Sequence, residues 1–139
     1  MKGPAIGFLG FTLRGERYAL PLQEVAEVME PPRLFPVPRA PVCIRGAMNS
    51  HGNLVAVLDL ACLFGHSGGE EGKVLVLDRR IANLALLVDS VDGFFTGNVV
   101  SEAEPSFNEF VGRVIQDKSG AIRLLVLDKV LGKMEELLK

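Results

Sequence analysis

Short runs of apolar residues, separated every few positions by glycine, proline or charged residues, extend along most of this chain. The 139 residues include 15 glycines and 8 prolines, and hydrophobic residues make up 48% of the total. A chain interrupted this often has little room for long helices, but it suits short strands joined by turns. The apolar fraction is sufficient for a packed core, so the sequence predicts a folded, mainly all-β domain.

Four pairs of apolar runs flank short turn sequences, and each pair predicts a β-hairpin. The turn at Arg14–Glu16 is predicted to be a loop of three to four residues. The predicted strand pairs are residues 8–13 with 17–22, 42–49 with 53–58, 73–78 with 81–88, and 111–116 with 121–127.

Prolines and capping residues mark the segments between the hairpins. Residues 31–41 contain five of the eight prolines and predict an extended connector, because proline fixes φ and removes a ladder donor. Val25 and Val28, spaced i and i+3, predict a short helical turn before this connector. Asp59 is placed to cap a short helix over residues 60–64, and Asp128 to cap an amphipathic C-terminal helix.

A weak internal similarity relates the two halves of the chain. An offset of 66 residues aligns Phe11 with Leu77, and an offset of 69 aligns residues 57–59 with 126–128. We therefore expect a single domain over residues 1–139, formed by two β lobes at roughly 1–65 and 66–139. Lobes of this size are marginal alone, so they should share an apolar interface or exchange strands.

Charge and hydropathy argue against several classes of partner. The formal net charge of −2 lacks the basic character of nucleic-acid-binding proteins. The longest uncharged run, residues 46–58, is thirteen residues long and contains polar side chains, so it is too short to span a bilayer. Charged residues at 14–17 interrupt the first apolar run, and no signal peptide is predicted. A cytoplasmic protein is expected.

The residue types that carry metal or nucleophilic chemistry are few. Of the two cysteines and two histidines, only Cys62 and His66 are as close as zinc ligands usually are. Two cysteines fit a reducing compartment and indicate no disulfide framework, so we expect buried structural cysteines. Residues 65–73 lack the phosphate-loop pattern, because Ser67 and Val74 stand where glycine and Ser or Thr are required. No cofactor, metal or catalytic residue is expected.

Several segments, in order along the chain, resemble the CheW-like family of chemotaxis adaptor proteins. Residues 18–28 resemble the pattern Y-x-(I/L)-x-(I/L)-x-x-V-x-E-(I/V), and residues 35–41 resemble a proline-containing linker. Residues 44–60 resemble I-x-G-x-x-N-x-R-G-x-x-x-P-(V/I)-x-D-L, and residues 86–91 resemble the end of G-x-x-V-D-x-V. The resemblance extends from about residue 8 to residue 131. Two departures are His51, in place of the turn arginine, and Ala56, in place of the strand proline.

This resemblance implies both a fold and a role. Family members consist of two SH3-like five-stranded β-barrel lobes and have no catalytic chemistry. They connect the signalling tips of chemoreceptors to the regulatory domain of the histidine kinase CheA. The chain is then a cytoplasmic adaptor that is recruited to receptor arrays, without nucleic-acid binding or direct membrane insertion. The implied receptor-facing residues are Val25, Glu27, Val28, Asn49 and His51.

Four of the five implied residues also have a simpler structural interpretation, and Glu27 is expected to be exposed. Val25 and Val28 could be core residues of a helical turn, and Asn49 could satisfy backbone groups of its own turn. His51 could be a solvated turn residue, and because it is shorter than arginine and mostly neutral near pH 7, receptor binding could be altered.

The implied function has alternatives as well. The chain could serve a non-flagellar chemosensory pathway, or it could be a small-molecule sensor. A sensor predicts polar groups converging in a deep pocket between the lobes, whereas an adaptor predicts an open apolar groove.

Overall fold

A computed structural model describes residues 6–67, 72–102, 108–117 and 120–137. Strands and two helices account for most of this part of the chain. The elements are β1 (Ile6–Leu13), β2 (Glu16–Pro21), a 3₁₀ turn (Leu22–Glu24), β3 (Val25–Met29), β4 (Ile44–Ser50), β5 (Asn53–Asp59), α1 (Leu60–Leu63), β6 (Lys73–Leu77), β7 (Leu84–Val88), β8 (Ser90–Glu102), β9 (Val111–Asp117), β10 (Gly120–Leu125) and α2 (Leu127–Leu137).

The described strands form two five-stranded units. The first is a closed barrel with the order β1-β2-β10-β9-β8, and the second is a sheet with the order β3-β6-β7-β5-β4. The prediction of a mainly all-β chain with two five-stranded lobes is confirmed. Each hairpin predicted from the sequence is present as an antiparallel strand pair.

Neither unit is a contiguous half of the chain. The barrel combines β1 and β2 with β8–β10, and parallel pairing of Ala19 with Leu124 joins the N-terminal hairpin to the C-terminal one. The expected division near residue 65 therefore does not separate the two units. The reason is that strands from both ends of the chain pair within one barrel, while the middle of the chain forms the second sheet.

One apolar core joins the two units, as the sequence analysis expected. It contains Phe11 and Tyr18 of the barrel, Leu75 and Leu86 of the second sheet, and Val130 of α2. Phe11 and Leu86 are fully buried, and the Phe11 and Tyr18 rings stack with their centroids 5.8 Å apart. Smaller clusters lie within each unit. Burial of large side chains from both units in one cluster makes the lobes energetically dependent on each other.

The predicted helical turn at Val25 and Val28 is wrong. Residues Val25–Met29 form strand β3, which pairs antiparallel with β6 in the register Val25–Leu77 and Val28–Leu75. The 3₁₀ turn precedes this segment and ends at Glu24. A spacing of three does not fit the period of two of a regular strand. A register shift between Val25 and Glu27 nevertheless lets the two valines pair with Leu77 and Leu75, so pairing with β6 overrides the local helical spacing.

Two further differences concern the length of the first hairpin turn and a strand that was not predicted. Leu13 pairs directly with Glu16, so the first hairpin turn contains only Arg14 and Gly15, with φ of 48° and 83°. Both residues have positive φ, which suits the right-handed twist of a two-residue hairpin. Strand β8, thirteen residues long, was not predicted from the sequence and lines the barrel beside β1 and β9.

Capping at the two helices differs. Asp59 caps α1 as predicted, because its Oδ1 accepts a hydrogen bond from the Cys62 N–H at 3.2 Å. Asp128 lies within the first turn of α2, which begins at Leu127, so it does not hold the predicted capping position. Val130 and Met134 of α2 are buried in the shared core.

Cys43 and Cys62 are joined by a disulfide, with their Cα atoms 5.5 Å apart. The expectation of two structural cysteines without such a bond is therefore corrected. Cys43 precedes β4 and Cys62 follows β5, and the pairing of Ile44 with Leu58 brings the two positions together. The sequence separation of 19 does not by itself predict that Cys43 and Cys62 lie close together.

Candidate functional site

Glu27 and His51 meet at one end of the second sheet. Glu27 lies on β3 and His51 in the β4–β5 turn, and His51 Nε2 is 3.2 Å from Glu27 Oε1. Strands β3 and β4 are the two outer strands of this sheet, so the contact shows that the sheet curls until these regions approach each other. The His51 side chain is 80% exposed, and such a solvated pair contributes about 1 kcal/mol or less to stability.

The turn that presents His51 is tightly defined. His51 and Gly52 have φ of 51° and 85°, which is the left-handed pair of a two-residue hairpin turn. Asn49 supports it, because its Oδ1 accepts a hydrogen bond from the Gly52 N–H at 3.0 Å. Asn49 therefore has the turn-stabilising role considered from the sequence, and the turn directs the His51 ring toward β3.

Val25 and Val28 have different environments. Val25 is half-buried and packs against the shared core, whereas Val28 is 41% exposed. The structure therefore supports a core role for Val25 only. Glu27 and His51 are the predicted site residues whose side chains meet. Val28 follows Glu27 on β3 and so lies on the opposite face of the strand, while Asn49 acts within the turn.

A groove of about 490 Å³ lies beside the Glu27–His51 pair. Polar side chains that the sequence analysis did not assign to the site also line it, namely Asn53, Arg79 and Asn83. From the sequence, Arg79 and Arg80 were assigned only to the turn between the predicted strands 73–78 and 81–88. Parallel pairing of β7 with β5 brings the β6–β7 connection next to the β4–β5 turn. This pairing joins segments far apart in the chain, so no local signal identified Arg79 and Asn83.

The two arginines of that connection have different roles. Arg80 forms two side-chain hydrogen bonds to Asp78, both at 3.0 Å, and these lower the pKa of the Asp78 carboxyl to about 2. Arg80 also donates its backbone N–H to Asp78 Oδ1 at 2.9 Å. Arg80 thus holds the turn together, while Arg79 contributes to the wall of the groove.

A second groove, of about 360 Å³, is mainly apolar. The proline-containing connector forms one wall, and the second sheet and α2 form the others. Its apolar lining includes Val37, Ile44, Leu84, Leu131 and Met134.

The sensor alternative predicted polar groups converging between the lobes. In the structure, the polar groups converge instead in the first groove, which is built from elements of the second sheet alone.

The described part of the chain contains no group of three or more His, Cys, Asp and Glu residues placed to hold a metal ion. Lys73 forms an ion pair with Glu30, and residues 68–71 of the glycine-rich loop lie outside the described ranges. No described helix is long and apolar enough to cross a membrane.

Sequence comparisons identify related proteins. A family model described as the CheW-like domain matches residues 7–135. The chain is 29% identical over 102 residues to Protein PilI of Pseudomonas aeruginosa, which covers 70% of this chain and 57% of that protein. It is 31% identical over 91 residues to Chemotaxis protein CheW of Helicobacter pylori, covering 63% of this chain and 50% of that protein. The matches thus span about half the length of these relatives.

The same architecture occurs in a solved structure. The scaffolding protein TtCheW from Thermoanaerobacter tengcongensis superposes with a TM-score of 0.79 at 23% identity, over 88% of this chain and 89% of that one. At this identity, the similarity supports the fold alone. It agrees with two SH3-like five-stranded lobes that share a core.

Proposed function

The chain belongs to the CheW-like domain family, and from this premise we propose that it is a non-enzymatic adaptor in a chemosensory pathway. It connects the signalling tips of chemoreceptors to the regulatory domain of a CheA-type histidine kinase in the cytoplasm. The observation that carries this proposal is the family match over residues 7–135, which covers both lobes. The two similarly folded units also suit a kinase regulatory domain of the same fold, as the family resemblance implies.

The receptor-facing surface is proposed to lie at the Glu27–His51 end of the second sheet. Support comes from the contact between these two side chains and from the groove beside them. The groove is lined by Arg79, two asparagines and apolar side chains, so the surface combines an apolar contact with charged and amide groups. Such a mixture of anchor and polar rim is typical of specific protein interfaces.

Binding measurements test the adaptor proposal directly. The protein is titrated with an isolated kinase regulatory domain and, separately, with a receptor signalling tip. We expect micromolar or tighter binding to both partners. Failure of both partners to bind at micromolar concentrations, at any salt concentration tested, would contradict the proposal.

His51→Arg tests the location of the receptor surface. Arginine is longer and permanently charged and can form two parallel hydrogen bonds to a carboxylate, whereas His51 makes one contact to Glu27. We expect receptor affinity to change about two- to fivefold while kinase affinity stays constant. His66→Arg is the matched control, because His66 is exposed and lines neither groove. Unchanged receptor affinity, or an equal loss for both partners, counts against this location.

A second candidate function places the adaptor in a non-flagellar chemosensory pathway. The match to Protein PilI covers more of this chain than the match to Chemotaxis protein CheW, 70% against 63%. Complementation distinguishes the two assignments. The chain is expressed in Pseudomonas aeruginosa lacking Protein PilI and in Helicobacter pylori lacking its CheW. Rescue of the mutant phenotype in the Pseudomonas aeruginosa strain alone supports the assignment to a non-flagellar pathway.

A further inference from the structure

Cys43 and Cys62 lie where the connector meets the second sheet. Cys43 is 5% exposed and stands one residue before β4, whereas Cys62 is only partly buried within α1. Their Cα separation of 5.5 Å is typical of a disulfide, and the structure contains the bond. Neither cysteine contributes to the proposed receptor surface, so the pair requires a separate explanation.

The backbone around the two cysteines holds them together without the bond. The Asp59 N–H donates to the Cys43 carbonyl oxygen at 2.8 Å, and Asp59 Oδ1 accepts from the Cys62 N–H at 3.2 Å. Arg45 Nε donates to Asp59 Oδ2 at 3.0 Å. The buried Asp59 therefore links both cysteine segments. Reduction leaves two thiols facing each other in a folded protein, which is the arrangement that a reversible disulfide requires.

The disulfide also fixes one end of a groove wall. Phe35 attaches the connector to Ala47 of β4 through two backbone hydrogen bonds of 2.8 Å, and Cys43 attaches it to α1. Residues 37–41, which line the apolar groove, lie between these two attachments. Breaking the bond at Cys43 removes the covalent attachment at one end and increases the freedom of this segment.

We propose that Cys43 and Cys62 form a redox-responsive dithiol–disulfide pair that controls the order of the connector beside the apolar groove. The oxidant is a low-molecular-weight disulfide such as oxidised glutathione. This assignment is independent of which chemosensory partner the protein binds.

The chemistry proceeds by thiol–disulfide exchange. The Cys62 thiolate attacks one sulfur of oxidised glutathione, forming a mixed disulfide and releasing one glutathione thiolate. The Cys43 thiolate then attacks Cys62 Sγ and releases the second glutathione thiolate. Two electrons pass from the protein to glutathione, and the protons of the two cysteines are taken up by the released thiolates. Cys62 reacts first because it is the more accessible of the pair.

A redox titration of the whole protein tests the proposal. The protein is equilibrated in glutathione buffers of increasing oxidised fraction, and free thiols are alkylated and counted by mass spectrometry. We expect both thiols to disappear together as the buffer becomes oxidising and to return with excess dithiothreitol under native conditions. Thiols that stay alkylatable in oxidised glutathione, or a bond that dithiothreitol does not reduce in the folded protein, would overturn it.

Hydrogen exchange tests the effect on the connector. The amides of Ala40 and Ile44, which donate to the carbonyl oxygens of Val37 and Pro41, are expected to exchange at least threefold faster in the reduced protein, while those of β8 stay unchanged. The reduced form should also melt roughly 10 °C lower, because the bond closes a loop of about 19 residues. The double variant Cys43→Ser with Cys62→Ser should lose all response to redox buffers. If the connector amides of the native protein exchange at the same rate in the oxidised and reduced forms, the disulfide does not control the order of the connector. This comparison does not depend on whether the double variant folds.

Discussion

At the residue scale, Glu24 shows how the position of a residue in the fold changes the pKa of its carboxyl group. It ends the 3₁₀ turn before β3 and is half-buried. Burial raises the pKa of its carboxyl above 4.5, and the nearby Asp128 carboxylate raises it further. The folded protein therefore binds a proton at Glu24 more readily than the unfolded chain does. The stabilising contribution of this group is complete below pH 4.5 and is lost as the pH rises through the folded-state pKa.

Glu24→Gln should therefore stabilise the protein at neutral pH. The amide removes a charge that burial and Asp128 disfavour, so we expect a rise in Tm on the order of 2 °C at pH 7. The difference should shrink with falling pH and vanish below about pH 4. Thermal melts from pH 3.5 to 8 measure it. Glu135→Gln, at an exposed site on α2, is the control, and a pH-independent difference at Glu24 would contradict the explanation.

His51 shows the limit of residue-level prediction. The sequence identified His51 and Glu27 as candidate site residues, and the structure brings them within hydrogen-bond distance. Arg79 and Asn83 were missed, because nothing in their local sequence relates them to the turn they face. Asn53 was missed although it follows that turn directly, since the family pattern has no specified residue there. The candidate site was thus predictable where a family pattern included the residue, and not where pairing of distant strands brought the residue into place.

At the scale of elements, hairpins were predictable and the element after the 3₁₀ turn was not. The four hairpins have apolar runs on both sides of polar turns, so local sequence determines their pairing. The valine spacing in Val25–Met29 is helical, whereas the strand depends on a register shift and on pairing with β6 across 44 or more residues of chain. A partner so distant in sequence leaves no local signal.

Gly46→Ala tests how the connector is attached to β4. Gly46 has φ of 152°, and an added Cβ would lie 2.7 Å from the Phe35 carbonyl oxygen, which is backbone and cannot rotate away. The clash should disturb the two hydrogen bonds between Phe35 and Ala47. We expect a loss of about 2 kcal/mol in the free energy of unfolding, measured by urea denaturation.

A second glycine supplies the control for that prediction. Gly132 lies in α2, where an added Cβ would meet nothing within 4 Å. Gly132→Ala should leave the free energy of unfolding unchanged or raise it by up to about 1 kcal/mol, since alanine is a better helix former than glycine. An unchanged urea midpoint for Gly46→Ala would show that the connector can move away from β4 without cost.

At the scale of the whole molecule, the shared core makes the two units one cooperative structure. Leu86 is fully buried in the cluster that contains Phe11 of the barrel and Val130 of α2. Leu86→Ala should cost about 2–5 kcal/mol, and the amides of β1 and β6 should lose protection together. Hydrogen exchange resolved by residue measures both effects.

A variant within one unit is the control for this cooperativity. Ile115 is buried in a smaller cluster with Phe8, Ala19 and Ile122, all from the barrel. Ile115→Val should cost about 1 kcal/mol and likewise lower protection in both units. Two separate unfolding transitions, or loss of protection confined to β6 and its neighbours in Leu86→Ala, would contradict a shared core.

The sequence alone determined the fold class, the hairpins and the Asp59 cap, because period-2 patterns, turn residues and capping side chains act on the neighbouring backbone. The connector at 31–41, predicted to be extended, contains a turn at Arg39, which has φ of 61°. The sequence also identified the residues of the β4–β5 turn, through a family pattern. Tertiary structure decided that strands from the two chain ends close one barrel, that Val25–Met29 is a strand, and that Cys43 meets Cys62. These features depend on contacts between residues far apart in the chain, whose free energy comes from burying one core shared by both lobes.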